Sequence, residues 1–421
     1  MIDKLHLYRL AYVFQDEALW RLVPDDAMFA VQHADGSISY CTFDASEMNI
    51  ALQVFTGPEE LATFFHLHDL FEKDLNELHE DPYYKGEVPN TPKCLSCFFD
   101  DKNGKVISPT EHESSKEYAK KLHLNIHPPK NHAHCIRYTP GLLPWPLSNE
   151  REAEILSDAL SAGIRLSHLL RSNGLSEAMT SVFDNPKGLL FIPEDNDWKV
   201  ATTVVPDVRY SYPTPRFIDA ALQADIQNLP KKEVWQCGIM YVPTYVGEPD
   251  GPERPYNMFV LLAISEKDFQ PHVLHTYSSQ DTPKTIAAGM AEYLLNENCC
   301  PKTLRCRDTR SYRLLQDFCN RTGIHIERKG DTSLIIQLQK DYYEHLLAHA
   351  QELDSGEFSL YDDDDVTDEA LTYAIDQFST FSDRELRSLP THVRTALLSL
   401  SLHPDFPPRF RQRLSHLFPN G

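Results

Sequence analysis

Apolar positions in this chain recur at two spacings, every second residue and every third or fourth, and the alternation between them sets out the elements. Met28 to Val31 and Ile38 to Phe43 are short apolar runs flanking Asp35-Gly36, a pair suited to the positive backbone angles of a tight hairpin. Beyond Gly57-Pro58, the residues Leu61, Phe64, Phe65, Leu67, Leu70 and Leu75 follow a helical spacing over 59–80, ended by Asp81-Pro82. Cys94 to Phe99 reads as a buried strand and Ser114 to Leu122 as a helix. Tyr138 to Leu147 carries Pro140, Gly141, Pro144 and Pro146, which remove amide donors and fix backbone angles, so it is expected as a rigid aromatic loop. A capped helix then runs through Ile155, Leu156, Leu160, Ile164 and Leu170.

Residues 175–256 hold short β-prone runs, Gly188 to Ile192 and Lys199 to Val205 among them, expected to bridge two larger units. After them the pattern alternates. Strands are predicted at Met258–Ile264, His272–Tyr277, Thr303–Arg307 and Ile324–Glu327, and helices at Pro283–Leu295, Ser311–Arg321 and Leu334–Ala350. Thr282-Pro283 supplies a cap and an N1 proline, and Gly323 a C-terminal stop. The fold class is therefore α/β: a mixed α+β first domain (1–174), an alternating α/β second domain with a β-rich entry (175–350), an acidic linker (351–370) and a helical tail (371–421). The linker holds nine acids with no Lys or Arg, the signature of a solvated segment.

Length and composition narrow the class. A chain of 421 residues exceeds one ordinary core, and an apolar fraction of 41% is ample for packed interiors. The net charge of −22 repels phosphate backbones, which sets nucleic-acid binding at a disadvantage. No apolar run approaches the ~20 residues that cross a bilayer, the start lacks a leader's long apolar core, and nine scattered cysteines suit a reducing compartment. The expected location is the cytoplasm, without membrane contact.

Candidate chemistry is sparse. Cys94 and Cys97 have the two-residue gap of a zinc knuckle, with His132, His134 and Cys135 as further donors, yet the interval before His132 is too long for a compact finger. Asp341, His345 and His349 fall on one helix face, where a divalent metal could bind or where a solvated face could simply carry them. Asp308 follows a predicted strand, a common place for a catalytic carboxylate, and equally suits a helix cap ahead of Ser311. The block's order of strands and helices resembles a ribonuclease H-like core. Two-metal cleavage needs converging carboxylates, however, and the strand read as the first, Asn257 to Ser265, has none. Nucleophile elbows, phosphate loops and dinucleotide fingerprints are missing.

Phe98-Phe99-Asp100-Asp101, Leu122-His123-Leu124 and the loop from Arg137 to Leu147 with its Pro140-Gly141 and Pro144-Trp145 pairs together resemble a bacterial domain family of unknown function. Trp235 to Ile326, with Arg254-Pro255-Tyr256 before a strand, resembles its companion domain, also of unknown function. The resemblance implies a fold pattern and no activity. The reading that results is a non-enzymatic interaction or accessory protein, without a cofactor, in which Arg137 and Trp145 either bind a protein partner or pack between domains. The alternative is a metal-dependent hydrolase or degenerate nuclease-like enzyme, built on Asp308 with Asp281, Asp331 or the His345 and His349 pair.

Overall fold

The computed structural model describes residues 3–24, 26–46, 49–71, 81–100, 109–126, 131–173, 179–195, 197–247, 253–354, 386, 397 and 406–418. The chain divides into two compact units, 1–343 and 344–421. In the second unit, the helix Pro408–Leu417 buries Phe410 and Leu414, and Phe406 stacks on Phe410 at 5.3 Å. The acidic run beyond Asp354, and all but Leu386 and Leu397 of the tail helices expected at 371–378 and 382–400, lie outside the described residues.

A 13-stranded sheet runs through the first unit. Its N-terminal half begins with the expected hairpin, β1 (Phe29–Gln32) and β2 (Ile38–Ser46), turned at Gly36 with φ +82°. β3 (Asn49–Phe55), β4 (Cys94–Asp100), β5 (His132–Thr139) and β6 (Leu142–Pro146) continue it antiparallel. Two helices, α1 (Lys4–Glu17) and α5 (Glu150–Asn173), cover one face, where Leu7, Tyr8 and Phe14 meet Leu156, Leu160, Phe43 and Phe99. Fully burying each large apolar side chain stabilises the fold by about 1.5–3 kcal/mol. The other face receives α2 (Pro58–Phe71) through Leu61, against Met28, Phe55 and Cys94. β7 (Lys187–Glu194) pairs with β1 and β8 (Asp197–Val204) with β7, so these two runs extend the sheet's far edge.

In the C-terminal half, β9 (Lys231–Val246), β10 (Tyr256–Ser265) and β11 (Pro271–Ser278) are antiparallel. β12 (Cys300–Cys306) runs parallel to β9, and β13 (His325–Glu327) parallel to β12. The spatial order is third, second, first, fourth, fifth. The first strand of this block is β9, not the run at Asn257 to Ser265, which is the second. Helices α6 (Ala220–Asn228), α7 (Pro283–Asn296), α8 (Thr309–Thr322) and α9 (Ser333–Asp354) complete it. Gly323 ends α8 with φ +74°, and the hydroxyl of Thr282 caps α7, as the sequence predicts.

The halves meet at a narrow seam. β6 touches β10 at one register position, Leu142 against Tyr256, flanked by Leu143 N to Pro255 O (2.9 Å) and Asn257 N to Gly141 O (2.8 Å). Arg254 locks it, donating to the carbonyls of Leu143 (2.6 Å) and Arg137 (3.0 Å) and to the Thr139 hydroxyl (3.0 Å). The expected rigid loop is thus a β5–β6 hairpin turned at Pro140-Gly141. Gly141 has φ +72°, and a Cβ there would lie 2.4 Å from Ser279 Cβ.

Candidate functional site

Beside the seam lies the principal cleft, about 580 Å³, within the 300–1,000 Å³ typical of small-molecule sites. One wall comes from α2 and from α3 (Pro82–Asn90), and the other from the β12–α8 junction and α9. Asp81 caps α3, accepting from Tyr83 N at 2.9 Å, and pairs with Arg307 across the cleft. Arg307 also donates to Gln339 Oε1, and its guanidinium sits 5.4 Å over the Tyr83 ring. Gly238 at the middle of β9 makes room for that pair: a Cβ there would come within 2.8 Å of Gln339 Nε2 and 3.1 Å of Arg307 Cδ.

Beneath this layer is a buried hub. Glu87 on α3 is wholly buried, accepting from Tyr212 (2.5 Å), from Tyr241 and from Arg310 (3.2 Å), with His66 at 3.4 Å. Burial alone would raise its pKa. The Arg310 charge and the hydrogen bonds from His66, Tyr212 and Tyr241 outweigh it and hold the carboxyl down at about 2. Gly86 allows the contact, since a Cβ there would overlap the Tyr241 ring at 2.1 Å.

Asp308 caps α8 through Ser311 N (2.6 Å), as its alternative reading from sequence has it. Its second oxygen, Oδ2, is buried without a hydrogen-bond partner, and burial raises its pKa. Thr309 follows in the cleft wall, its hydroxyl accepting from Arg328 at 3.0 Å. Arg328 and Lys340 both line the cleft, and neither has an acidic partner among the described residues.

The other sequence candidates are dispersed. Cys94 and Cys97, three apart on a strand, face opposite sides of the sheet, Cys94 in the α2 layer and Cys97 in the α1–α5 core. Cys97 lies opposite Cys135 across the β4–β5 register, and the His132 and His134 rings stand 6.2 and 5.7 Å from His112. Asp341 is exposed and accepts from Gln337 at 2.7 Å, His345 is exposed, and the His349 side chain lies outside the described residues. Asp281 accepts from Ser278 N at 2.7 Å and Asp331 from Ser333 N at 2.9 Å. Among the described residues, no three His, Cys, Asp or Glu side chains are placed to hold a metal ion. Arg137 pairs with Glu152 at 2.7 Å within the N-terminal half, with Trp145 opposite it in the β5–β6 register and half-buried. Arg254 bridges the halves at the seam, as does Ser279, whose hydroxyl donates to the Gly141 carbonyl at 3.0 Å.

Sequence reasoning missed Glu87, Arg307, Arg310, Arg328 and Lys340. A signal was present: Arg305, Arg307 and Arg310 fall within six residues of a strongly acidic chain, where a strand hands over to a helix.

The architecture defines a mixed α/β protein whose two unlike halves share a sheet and enclose a polar cleft. Residues 5–184 match a domain of unknown function (DUF7309), and residues 222–343 match another domain of unknown function (DUF6930). The cleft takes His66, Asp81 and Tyr83 from the first matched region and Arg307, Asp308, Arg328 and Lys340 from the second, with Tyr212 from the segment between them. No curated protein and no solved structure matches the chain. Among the described residues no helix is long and apolar enough to cross a membrane.

Proposed function

We propose that the protein is a cytoplasmic, non-enzymatic accessory module whose cleft binds a small anionic molecule. One observation carries this reading: in a chain of net charge −22, Arg328 and Lys340 face the cleft without acidic partners among the described residues, beside Thr309 in the first turn of α8. Helix N-termini and unpaired cations attract phosphoryl and carboxylate groups. The acids nearby are already engaged, Asp81 with Arg307, Glu87 with Arg310, and Asp308 as a cap.

The alternative, a degenerate nuclease-like hydrolase, draws support from the strand order and from Asp308 at the end of β12. The true first strand weakens it. The acid that β9 carries is Glu233 near its start, paired with Lys267 at 3.1 Å. Calorimetric titration of the full chain with inorganic phosphate tests the proposal. Wild type is expected to bind, and the Arg328→Ala/Lys340→Ala double variant to bind at least about tenfold more weakly, which is about 1.4 kcal/mol. Equal binding by both proteins, or none by wild type, overturns it.

A further inference from the structure

A second cavity of about 240 Å³ lies behind the cleft, and Tyr212 lines both. Tyr210, Tyr212, Phe259 and Tyr277 give it aromatic walls. The Arg310 guanidinium lies 5.0 Å over the Phe259 ring, so a flat cationic face adjoins the flat aromatic ones. Cavities of roughly 150 Å³ admit benzene, so this one accepts a ring system, though not a whole cofactor. Its rim is polar: Ser278 and Asp281 bind one another, Oγ to Oδ2 at 3.0 Å, and Asp281 Oδ1 has no hydrogen-bond partner among the described residues.

A cationic cleft and an aromatic slot on either side of one tyrosine form a two-part receptor. We propose that the ligand is a nucleoside phosphate or a close aryl analogue, with the phosphate at Thr309, Arg328 and Lys340 and the ring between Tyr210, Tyr212 and Tyr277. Asp281 Oδ1 accepts from an amino group on the ring's edge. Ring stacking on aromatic and guanidinium faces supplies the added affinity. This rests on the anion-binding reading of the cleft.

The test is titration of the full chain with inorganic phosphate, adenosine and adenosine monophosphate. Wild type is expected to bind the monophosphate at least about tenfold more tightly than phosphate. Leu314→Trp, which fills the slot, is expected to bring the monophosphate down to the affinity of phosphate and leave phosphate itself unchanged. Tyr210→Ala, which removes one wall, is the second variant should the tryptophan disturb folding, and it too is expected to narrow the gap. Equal binding of phosphate and monophosphate by wild type, or a preference untouched by Tyr210→Ala, overturns the inference and leaves the anion site standing. If neither phosphate nor monophosphate binds, both proposals fall.

Discussion

Two buried glutamates of the N-terminal half, one facing the junction and one in the core, are kept in opposite states. Glu87, at the junction of the halves, is wholly buried yet held as a carboxylate by Arg310 and by donors from His66, Tyr212 and Tyr241. Glu111, on α4 (Pro109–Lys121), is 2% exposed and accepts from Tyr8 and from Cys135 N at 3.1 Å. Burial there outweighs those bonds and the field of Lys4, and pushes the pKa up to about 7. Both accept phenolic hydroxyls, but Glu87 takes two of them and a bond from His66, where Glu111 takes one and a backbone amide, and charge contact separates them further. Glu87 has the Arg310 guanidinium in direct contact. The junction is built to store charge, and the N-terminal core is built to avoid it.

The largest expected effect comes from breaking the charged hub. Removing one partner of a buried ion pair leaves the other uncompensated, at a cost of about 3–5 kcal/mol. Glu87→Ala is expected to lose that much in urea denaturation, and Arg310→Ala a similar amount. In a double-mutant cycle the two losses should fall well short of additive. Additive losses would mean that the two side chains act separately and that the contrast with Glu111 is unfounded.

The next effect is in pH. The folded-state pKa of Glu111 is raised from 4.5 to about 7, so its favourable contribution is complete below about 4.5 and is lost as pH rises through 7. At 1.36 kcal/mol per pKa unit the loss reaches about 3 kcal/mol. Glu111→Gln is expected to flatten the decline in stability between about pH 5 and pH 8, and to equal or exceed wild type at the upper end. Glu87 has the reverse sign: its folded pKa is lowered to about 2, so its contribution is present above about 4.5 and lost as pH falls toward 2. Denaturation midpoints across pH should therefore show Glu111→Gln diverging from wild type on the alkaline side and Glu87→Gln converging on it in acid. A Glu111→Gln profile parallel to wild type would place the ionisation elsewhere.

How much of this was legible depended on whether the signal was local. The Asp35-Gly36 turn, the Thr282-Pro283 cap and the Gly323 stop are chosen by neighbouring backbone geometry, and each appears where the sequence puts it. The helix α3 was hidden because Gly86 and Pro89 read as breakers, and Gly86 is explained only by the Tyr241 ring that packs against it from a distant strand. β9 was hidden likewise, since Cys237-Gly238 weakens its pattern and Gly238 is explained by Arg307 and Gln339. Both glycines are concessions to long-range contacts, and the cleft is made of those contacts. The Cys94 and Cys97 pair misleads for a related reason: a two-residue gap joins ligands on a turn but separates them on a strand.

Asp308 lies between the two glutamates and gives the smallest effect. One oxygen caps α8, the other is buried without a hydrogen-bond partner, and burial raises the pKa even with Arg307 beside it in sequence. If the group resembles Glu111, its charge contributes nothing to folding, and only the cap matters. Asparagine caps as well as aspartate does, whereas alanine does not, at a cost of about 1 kcal/mol. Asp308→Asn is therefore expected within about 0.5 kcal/mol of wild type and Asp308→Ala about 1 kcal/mol below it, measured by urea denaturation near neutral pH. A loss of several kcal/mol in Asp308→Asn would place it with Glu87 instead, as an ionised partner of the cleft's arginines, and would extend the charged junction to the mouth of the site.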